Sequence, residues 1–229
     1  MDARVRQRRL PHWDVPGATY FITSCLAGSL SAQGLLDLEQ YRRNLETRVK
    51  PRALTDKEWV YQREKMIYGR IDSWLDLSPG TRHLEDPQLA QICANAMLHF
   101  ADERYTLLAF VVMLSHFHWV FRPLETWIVS LGPTIEERPP RERVMHSLKT
   151  FTAWECNRMM KKRGPFWQDE SYEQCIRADD ELHRIIDYVE QNPVKAKLVP
   201  SAQDWPYSSA VIRERNGIAS GEAIPKGMR

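Results

Sequence analysis

Two β-forming runs lie back to back in the middle of this chain, at residues 105–114 and 116–122, with only Ser115 between them. Rich in Leu, Phe, Val and Trp, they predict two strands joined by a tight turn, an antiparallel hairpin. That hairpin constrains everything around it, because segments of helical period flank it on both sides. Before it, Asp86-Pro87 supplies an N-cap and a first-turn proline. Leu89, Ile92, Cys93, Ala96, Met97 and Phe100 then follow at the spacing of one helix face. After it, Pro139-Pro140 opens a segment carrying Val144, Leu148 and Phe151, which Gly164-Pro165 stops. Further strands are predicted at 18–26 and 172–177.

The order strand, helix, strand, strand, helix, strand predicts an α+β fold. It matches the ferredoxin-like βαββαβ layout, an antiparallel sheet with helices on one face. An extra C-terminal helix carries Leu182, Ile185, Ile186 and Val189, and Asn192-Pro193 is expected to end it, since a residue before proline avoids the α region. Residues of about 31–85 read as a helical insertion. Leu38, Tyr41, Leu45 and Val49 recur at helical spacing there, and Thr55 with Glu58 forms a capping-box pattern.

A chain of 229 residues is long enough for one sizeable core. No apolar run approaches the roughly 18 residues of a membrane span, and the N-terminus has no secretory pattern. The four cysteines, Cys25, Cys93, Cys156 and Cys175, are scattered without a C-x-x-C. This predicts a cytoplasmic protein with no membrane partner and neither disulfides nor structural zinc.

The net charge of +2 hides two basic clusters. Arg4, Arg6, Arg8 and Arg9 lie near the N-terminus. Arg141, Arg143, Lys149, Arg158, Lys161, Lys162 and Arg163 face only Glu142 and Glu155 in their segment. Such clusters suit phosphates or form ordinary solvated faces, and the arginine arm reads either as a groove-reaching segment or as a tail.

His116-Phe117-His118 opens the second strand of the hairpin. Side chains at i and i+2 share a face, so both imidazoles converge while Phe117 packs opposite. That is a two-ligand platform for a divalent cation. On the last helix, Tyr188 and Asn192 stand about 40° apart on one flank of the apolar stripe. If that flank meets the histidines, Asn192 offers a carbonyl oxygen as third ligand and Tyr188 reaches whatever the cation holds. A phenol with a reference pKa of about 10 is a poor nucleophile at neutral pH. A cation that polarises a phosphodiester makes attack feasible. If the bond to the 3′-oxygen breaks, the product is a phosphotyrosine and a free 3′-hydroxyl, a covalent link that keeps the bond's energy for rejoining. Each feature has an ordinary structural reading when taken singly.

Together these residues resemble the single-tyrosine HUH transposases, of the IS200-like superfamily and its REP-associated tyrosine transposase branch. The likeness runs through Arg9-Leu10-Pro11-His12-Trp13, Gly17-Ala18-Thr19-Tyr20-Phe21 and Val111-Val112-Met113. It is strongest in Gly164-Pro165-Phe166-Trp167-Gln168 and Ile186-Asp187-Tyr188-Val189-Glu190-Gln191-Asn192-Pro193-Val194, and Trp205-Pro206-Tyr207-Ser208-Ser209 extends it. The resemblance implies His116, His118 and Asn192 as ligands of Mg2+ or Mn2+. It implies Tyr188 as the nucleophile that forms a 5′-phosphotyrosine with single-stranded DNA. The implied partner is single-stranded or hairpin DNA formed by repetitive extragenic palindromes, and the implied assembly is a monomer or homodimer. Two departures stand out. Leu114-Ser115 precedes the first histidine where the family usually has Pro and a polar residue, and Lys197 stands where glycine is expected.

Under this reading residues 1–210 form one transposase-like domain and 211–229 a polar C-terminal tail. Arg8, Arg9, Lys149, Arg158, Lys161, Lys162 and Arg163 are candidate phosphate contacts, with Gln168 beside them. Trp167 is either a stacking platform for an unpaired base or a core residue. A non-cleaving DNA-binding protein on the same fold, and a metal-dependent phosphohydrolase with a structural Tyr188, remain as alternatives.

Overall fold

The computed structural model describes residues 4–7, 11–14, 17–77, 80–136, 138–169, 171–176 and 178–228. The chain opens with β1 (Arg4–Gln7) and β2 (Pro11–Asp14), which pair antiparallel in a small sheet of their own. The segment read as a basic arm or tail is therefore partly a two-stranded ribbon. Arg8 and Arg9 lie outside the described residues.

The βαββαβ core follows. Its strands are β3 (Thr19–Cys25), β4 (Tyr105–Val112), β5 (His116–Pro123) and β6 (Tyr172–Ile176), in the all-antiparallel order β4-β5-β3-β6. Two inserted helices, α1 (Ala32–Glu46) and α2 (Asp56–Leu77), lie between β3 and α3 (Pro87–His99). Beyond β5 come the short α4 (Glu125–Ser130) and the long α5 (Pro140–Met160). After β6 come α6 (Asp179–Glu190), the single turn α7 (Asn192–Lys195) and α8 (Ser209–Asn216).

The local signals behave as their chemistry dictates. The Asp86 side chain accepts from Gln88 N–H at 2.9 Å. Thr55 and Glu58 close a reciprocal capping box, with Thr55 N–H donating to the Glu58 carboxylate at 2.7 Å and Glu58 N–H to Thr55 Oγ1 at 3.3 Å.

Alternation along the strands divides the core into two layers. Ile22, Phe110, Phe117, Trp119 and Phe121 face α3 and α5, meeting Leu89, Cys93, Met97, Val144, Leu148 and Cys156. Phe21, Ala109, Val111 and Val120 face the other way and meet Ile186 and Val189 of α6. Each such large apolar side chain contributes roughly 1.5–3 kcal/mol on burial. The repeat's own helices thus cover one face, as expected, and the extra helix α6 seals the opposite one.

Three details differ from the sequence reading. The strand expected over 105–114 stops at Val112, because Leu114-Ser115 forms the hairpin turn and Met113 N–H donates to His116 O at 2.8 Å. Asn192-Pro193 does not end the helical path. Glu190 ends α6, and Asn192 opens α7 with Pro193 in its first turn, where a missing N–H costs nothing. The segment from 211 onward, read as a polar tail, packs onto the sheet: Val211, Ile212 and Ile224 are buried, and Ile224 N–H donates to Leu107 O at 2.8 Å. The three apolar residues that anchor it are too few and too scattered to make a periodic signal.

Candidate active site

His116 and His118 lie at the start of β5, beside Cys25 and Thr23 of β3. They face the α6 side, and Phe117 faces the other, where its ring meets that of Trp167 edge-on at 5.0 Å. Both histidines are buried, and their Nε2 atoms stand 3.2 Å apart. Two nitrogens each about 2.0–2.2 Å from one cation, at about 90–110° to each other, would stand about 2.8–3.6 Å apart. The pair is thus spaced to share an ion.

The far ring nitrogens are occupied, which turns each Nε2 inward. His116 Nδ1 lies 3.1 Å from Ser115 Oγ. His118 Nδ1 lies 2.7 Å from Thr23 Oγ1 and 3.2 Å from Tyr68 Oη, and those two hydroxyls are 2.9 Å apart. Such outer partners set the tautomer and orientation of a ligating imidazole. Ser115 therefore does work in this site that the departure before His116 did not suggest.

α6 and α7 bring in Tyr188 and Asn192. Asn192 is wholly buried, with Nδ2 at 3.2 Å from His118 Nε2, while its Oδ1 has no hydrogen-bond partner. Tyr188 is half-buried, its ring 5.6 Å from that of His118, with Lys195 Nζ 4.4 Å above its centre. Its hydroxyl donates to Asp72 Oδ2. All four side chains singled out from the sequence thus meet in one place.

The residue that sequence reasoning missed is Asp72, on the inserted helix α2. It is buried, and its Oδ1 lies 3.3 Å from His118 Nε2. Asp72, His116 and His118 each offer a ligand atom within 4.8 Å of the others, a set able to hold a metal ion. No motif announces this aspartate. Its one sequence signal is an i, i+4 offset from Tyr68 on a predicted helix.

The electrostatics suit a cation. Burial pushes the His116 imidazole down to about 3, helped by His118 and opposed by Asp72, so it is neutral near pH 7. Burial alone would raise the Asp72 carboxyl. The charge and hydrogen bond of His118, then the charge of His116 and the Tyr188 hydroxyl, outweigh it and hold Asp72 below the usual carboxylate range. A neutral imidazole and an ionised carboxylate are the ligating forms.

The DNA-contact candidates divide. Trp167 is buried: its Nε1 donates to Thr152 Oγ1 at 2.8 Å and its ring meets Phe117 and Phe166, so it is a core residue and no base-stacking platform. Lys149 donates to the backbone carbonyls of Gln168 and Asp169 and ties α5 to the loop before β6, which removes it from the phosphate-binding candidates. Gln168 is half-buried, its N–H bound to Cys25 O at 2.8 Å. Arg158, Lys161, Lys162 and Arg163 are exposed at the end of α5.

This basic tip adjoins the histidine end of the sheet. Asn157 Nδ2 donates to Gly164 O at 3.0 Å, Ala27 N–H to Phe166 O at 2.9 Å, and Leu26 N–H to Ser115 O at 2.8 Å. Trp154, also missed, is 61% exposed there, with the Arg158 guanidinium 5.4 Å from its ring centre.

No protein-family profile matches the chain. Over 53 residues it is 42% identical to a protein of Haemophilus influenzae named as a REP-associated tyrosine transposase. That stretch is 23% of this chain and 30% of the other, so the chain spans under a third of the length of this curated relative. A solved structure of a REP-associated tyrosine transposase bound to a REP hairpin matches over 95% of this chain and 99% of its own, with a TM-score of 0.53 at 16% identity. The likeness read from the motifs is thus present in sequence over one segment and in fold over nearly the whole chain. Among the described residues, no helix is long and apolar enough to cross a membrane.

Proposed function

We propose that this chain, a relative of the REP-associated tyrosine transposases in segment and in fold, cuts and rejoins single-stranded or hairpin DNA through a 5′-phosphotyrosine on Tyr188. One observation carries the reading: the Tyr188 hydroxyl, the His116–His118 pair and Asn192 converge from three elements on one buried cluster. A structural tyrosine on the flank of α6 has no need of that company.

His116, His118 and Asn192 would hold a divalent cation, Mg2+ or Mn2+, with Asp72 in reach. The buried Asn192 Oδ1 without a partner fits such a ligand set, because an unmet buried acceptor costs free energy that a cation would offset. A divalent ion bound there would polarise the scissile phosphate and stabilise the charge that develops on it. The protein's own groups do the rest. Tyr188 Oη bonds to phosphorus as the bond from phosphorus to the 3′-oxygen breaks, and the phenol loses a proton while the 3′-oxygen gains one. The 5′-phosphate stays on the protein, so the reverse attack by a 3′-hydroxyl rejoins strands without another energy source. The α5 tip would guide the DNA backbone toward this end of the sheet, and a REP-like hairpin is the partner class carried over from the structural relative.

The test incubates the protein with end-labelled hairpin oligonucleotides and Mn2+ and resolves the products on a denaturing gel. A covalent protein–DNA band is expected, absent in Tyr188→Phe. Binding without an adduct would instead mark a non-cleaving DNA-binding protein, and free 5′-phosphate ends without an adduct a phosphohydrolase. Cleavage by Tyr188→Phe at the wild-type rate would overturn the assignment of the nucleophile.

A further inference from the structure

The helix α2 lies outside the βαββαβ repeat, yet it supplies two side chains to the histidine pair. Tyr68 and Asp72 are four residues apart, so they project from one face of α2. Both are buried. Tyr68 Oη touches Thr23 Oγ1, His118 Nδ1 and, at 3.3 Å, Asp72 Oδ1. The Asp72 carboxylate divides its two oxygens, one accepting the Tyr188 hydroxyl and the other lying 3.3 Å from His118 Nε2.

The helix is held firmly where these residues sit. The Tyr68 ring stacks on Tyr172 of β6 at 3.8 Å and meets Phe21 of β3 edge-on at 5.5 Å. Leu75 packs against Cys25 and Leu30 at the histidine end of β3. Tyr61 Oη donates to Glu181 of α6 at 2.6 Å and accepts from Gln174 Nε2 of β6 at 2.6 Å. α2 is thereby pinned to β3, β6 and the helix that carries Tyr188.

We propose that Asp72 is a positioning residue for strand cleavage, its carboxylate tying the Tyr188 hydroxyl to the histidine pair and offering its other oxygen to the cation held there. The proposal rests on Tyr188 as the nucleophile. A half-buried tyrosine on a helix flank has rotamer freedom that a near-attack geometry cannot tolerate, and misplacement by about 1 Å can cost on the order of a hundredfold in rate. A carboxylate anchored on a third element removes that freedom. The insertion is then part of the catalytic apparatus, and α2 is the element that sets the separation of nucleophile and cation.

The experiment uses the full chain in three forms: wild type, Asp72→Asn, which keeps the side chain's shape, and Asp72→Glu, which keeps its charge but lengthens it. Binding of Mn2+ alone is measured by calorimetry, binding of a hairpin oligonucleotide is measured in EDTA, and single-turnover adduct formation is followed at saturating Mn2+. Asp72→Asn is expected to weaken Mn2+ binding roughly 10–100-fold and to slow adduct formation about a hundredfold, with oligonucleotide affinity unchanged. Asp72→Glu is expected to restore most of the Mn2+ affinity but little of the rate, a split that a merely structural role would not produce. Wild-type Mn2+ affinity together with a wild-type rate in Asp72→Asn would overturn the proposal. If the wild-type protein binds Mn2+ but forms no adduct, the cleavage reading fails by itself. Asp72 as a cation ligand is then judged by the calorimetry, where unchanged affinity in Asp72→Asn counts against it.

Discussion

Asn192 Nδ2 stands 3.2 Å from His118 Nε2, while the Oδ1 of the same amide is buried with no partner. The two amide atoms are near-equal in shape, and turning the group exchanges them. Turned, the carbonyl oxygen faces the nitrogen pair where a cation would sit. Millimolar Mn2+ is therefore expected to stabilise the protein by about 2.7 kcal/mol at a hundred times its dissociation constant, a rise in Tm of roughly 5–10 °C for a chain of this size. Asn192→Ala should cut the affinity at least about tenfold. A melting temperature indifferent to Mn2+, Mg2+ and EDTA would remove the metal centre from this account.

The exposed tip of α5 is expected to carry the salt dependence of DNA binding. Replacing Lys161, Lys162 and Arg163 by Gln should lower the slope of log affinity against log salt by about 2, at roughly 0.7 per phosphate contact on single strands. Trp154→Ala should weaken binding by about 1–3 kcal/mol if its exposed ring stacks on a base. Trp167→Phe should leave binding unchanged, because Trp167 is buried behind Phe117. Filter binding across a salt series reads all three, and the reverse ranking of the two tryptophans would place the DNA elsewhere.

Glu190 is expected to hold the tyrosine helix in place. Its Oε1 accepts from Arg213 Nε of α8 at 2.8 Å and from Ser209 Oγ at 2.6 Å, with the pair 12% and 6% exposed. Glu190→Ala would leave the buried Arg213 charge without its carboxylate, held only by the carbonyls of Leu108, Ala219 and Glu222, and breaking such a buried pair costs roughly 3–5 kcal/mol. Urea unfolding should show that loss, and the double change Glu190→Leu with Arg213→Met should recover much of it. A single variant as stable as wild type would mean that α8 does not brace α6.

Lys197 occupies a left-handed backbone position with φ +58°. An L side chain there costs about 1–2 kcal/mol, while glycine returns part of the gain as unfolded-state entropy, about 0.4–1 kcal/mol. Lys197→Gly is expected to stabilise the fold by up to about 1 kcal/mol, and Lys197→Ala, which keeps the Cβ, to do nothing comparable. Equal denaturation midpoints for wild type and the glycine variant would count against strain at this turn.

Much of this protein is legible in its residues because much of it is local. Period-2 and period-3.6 patterns predict the strands and helices of the core, since each pattern needs only neighbours within a few positions to find its face. The same logic puts His116 and His118 on one side of a strand and Tyr188 and Asn192 on one flank of a helical path. The glycine at position 197 is an expectation of the family resemblance and not of any local pattern, and the backbone there has the left-handed conformation that favours it.

The rest was decided by approach across distance. Asp72 meets Tyr188 over 116 positions and Tyr68 meets His118 over 50, and no periodicity encodes such encounters. By residue type Lys149 reads as a DNA contact and Trp167 as either a stacking platform or a core residue, and the packing of α5 against the loop before β6 buries the tryptophan and ties the lysine to main-chain carbonyls. By itself the sequence determined which faces exist and which side chains stand on them. Only the tertiary structure decided which faces meet, because that depends on the summed burial of the whole core and not on any segment's own preference.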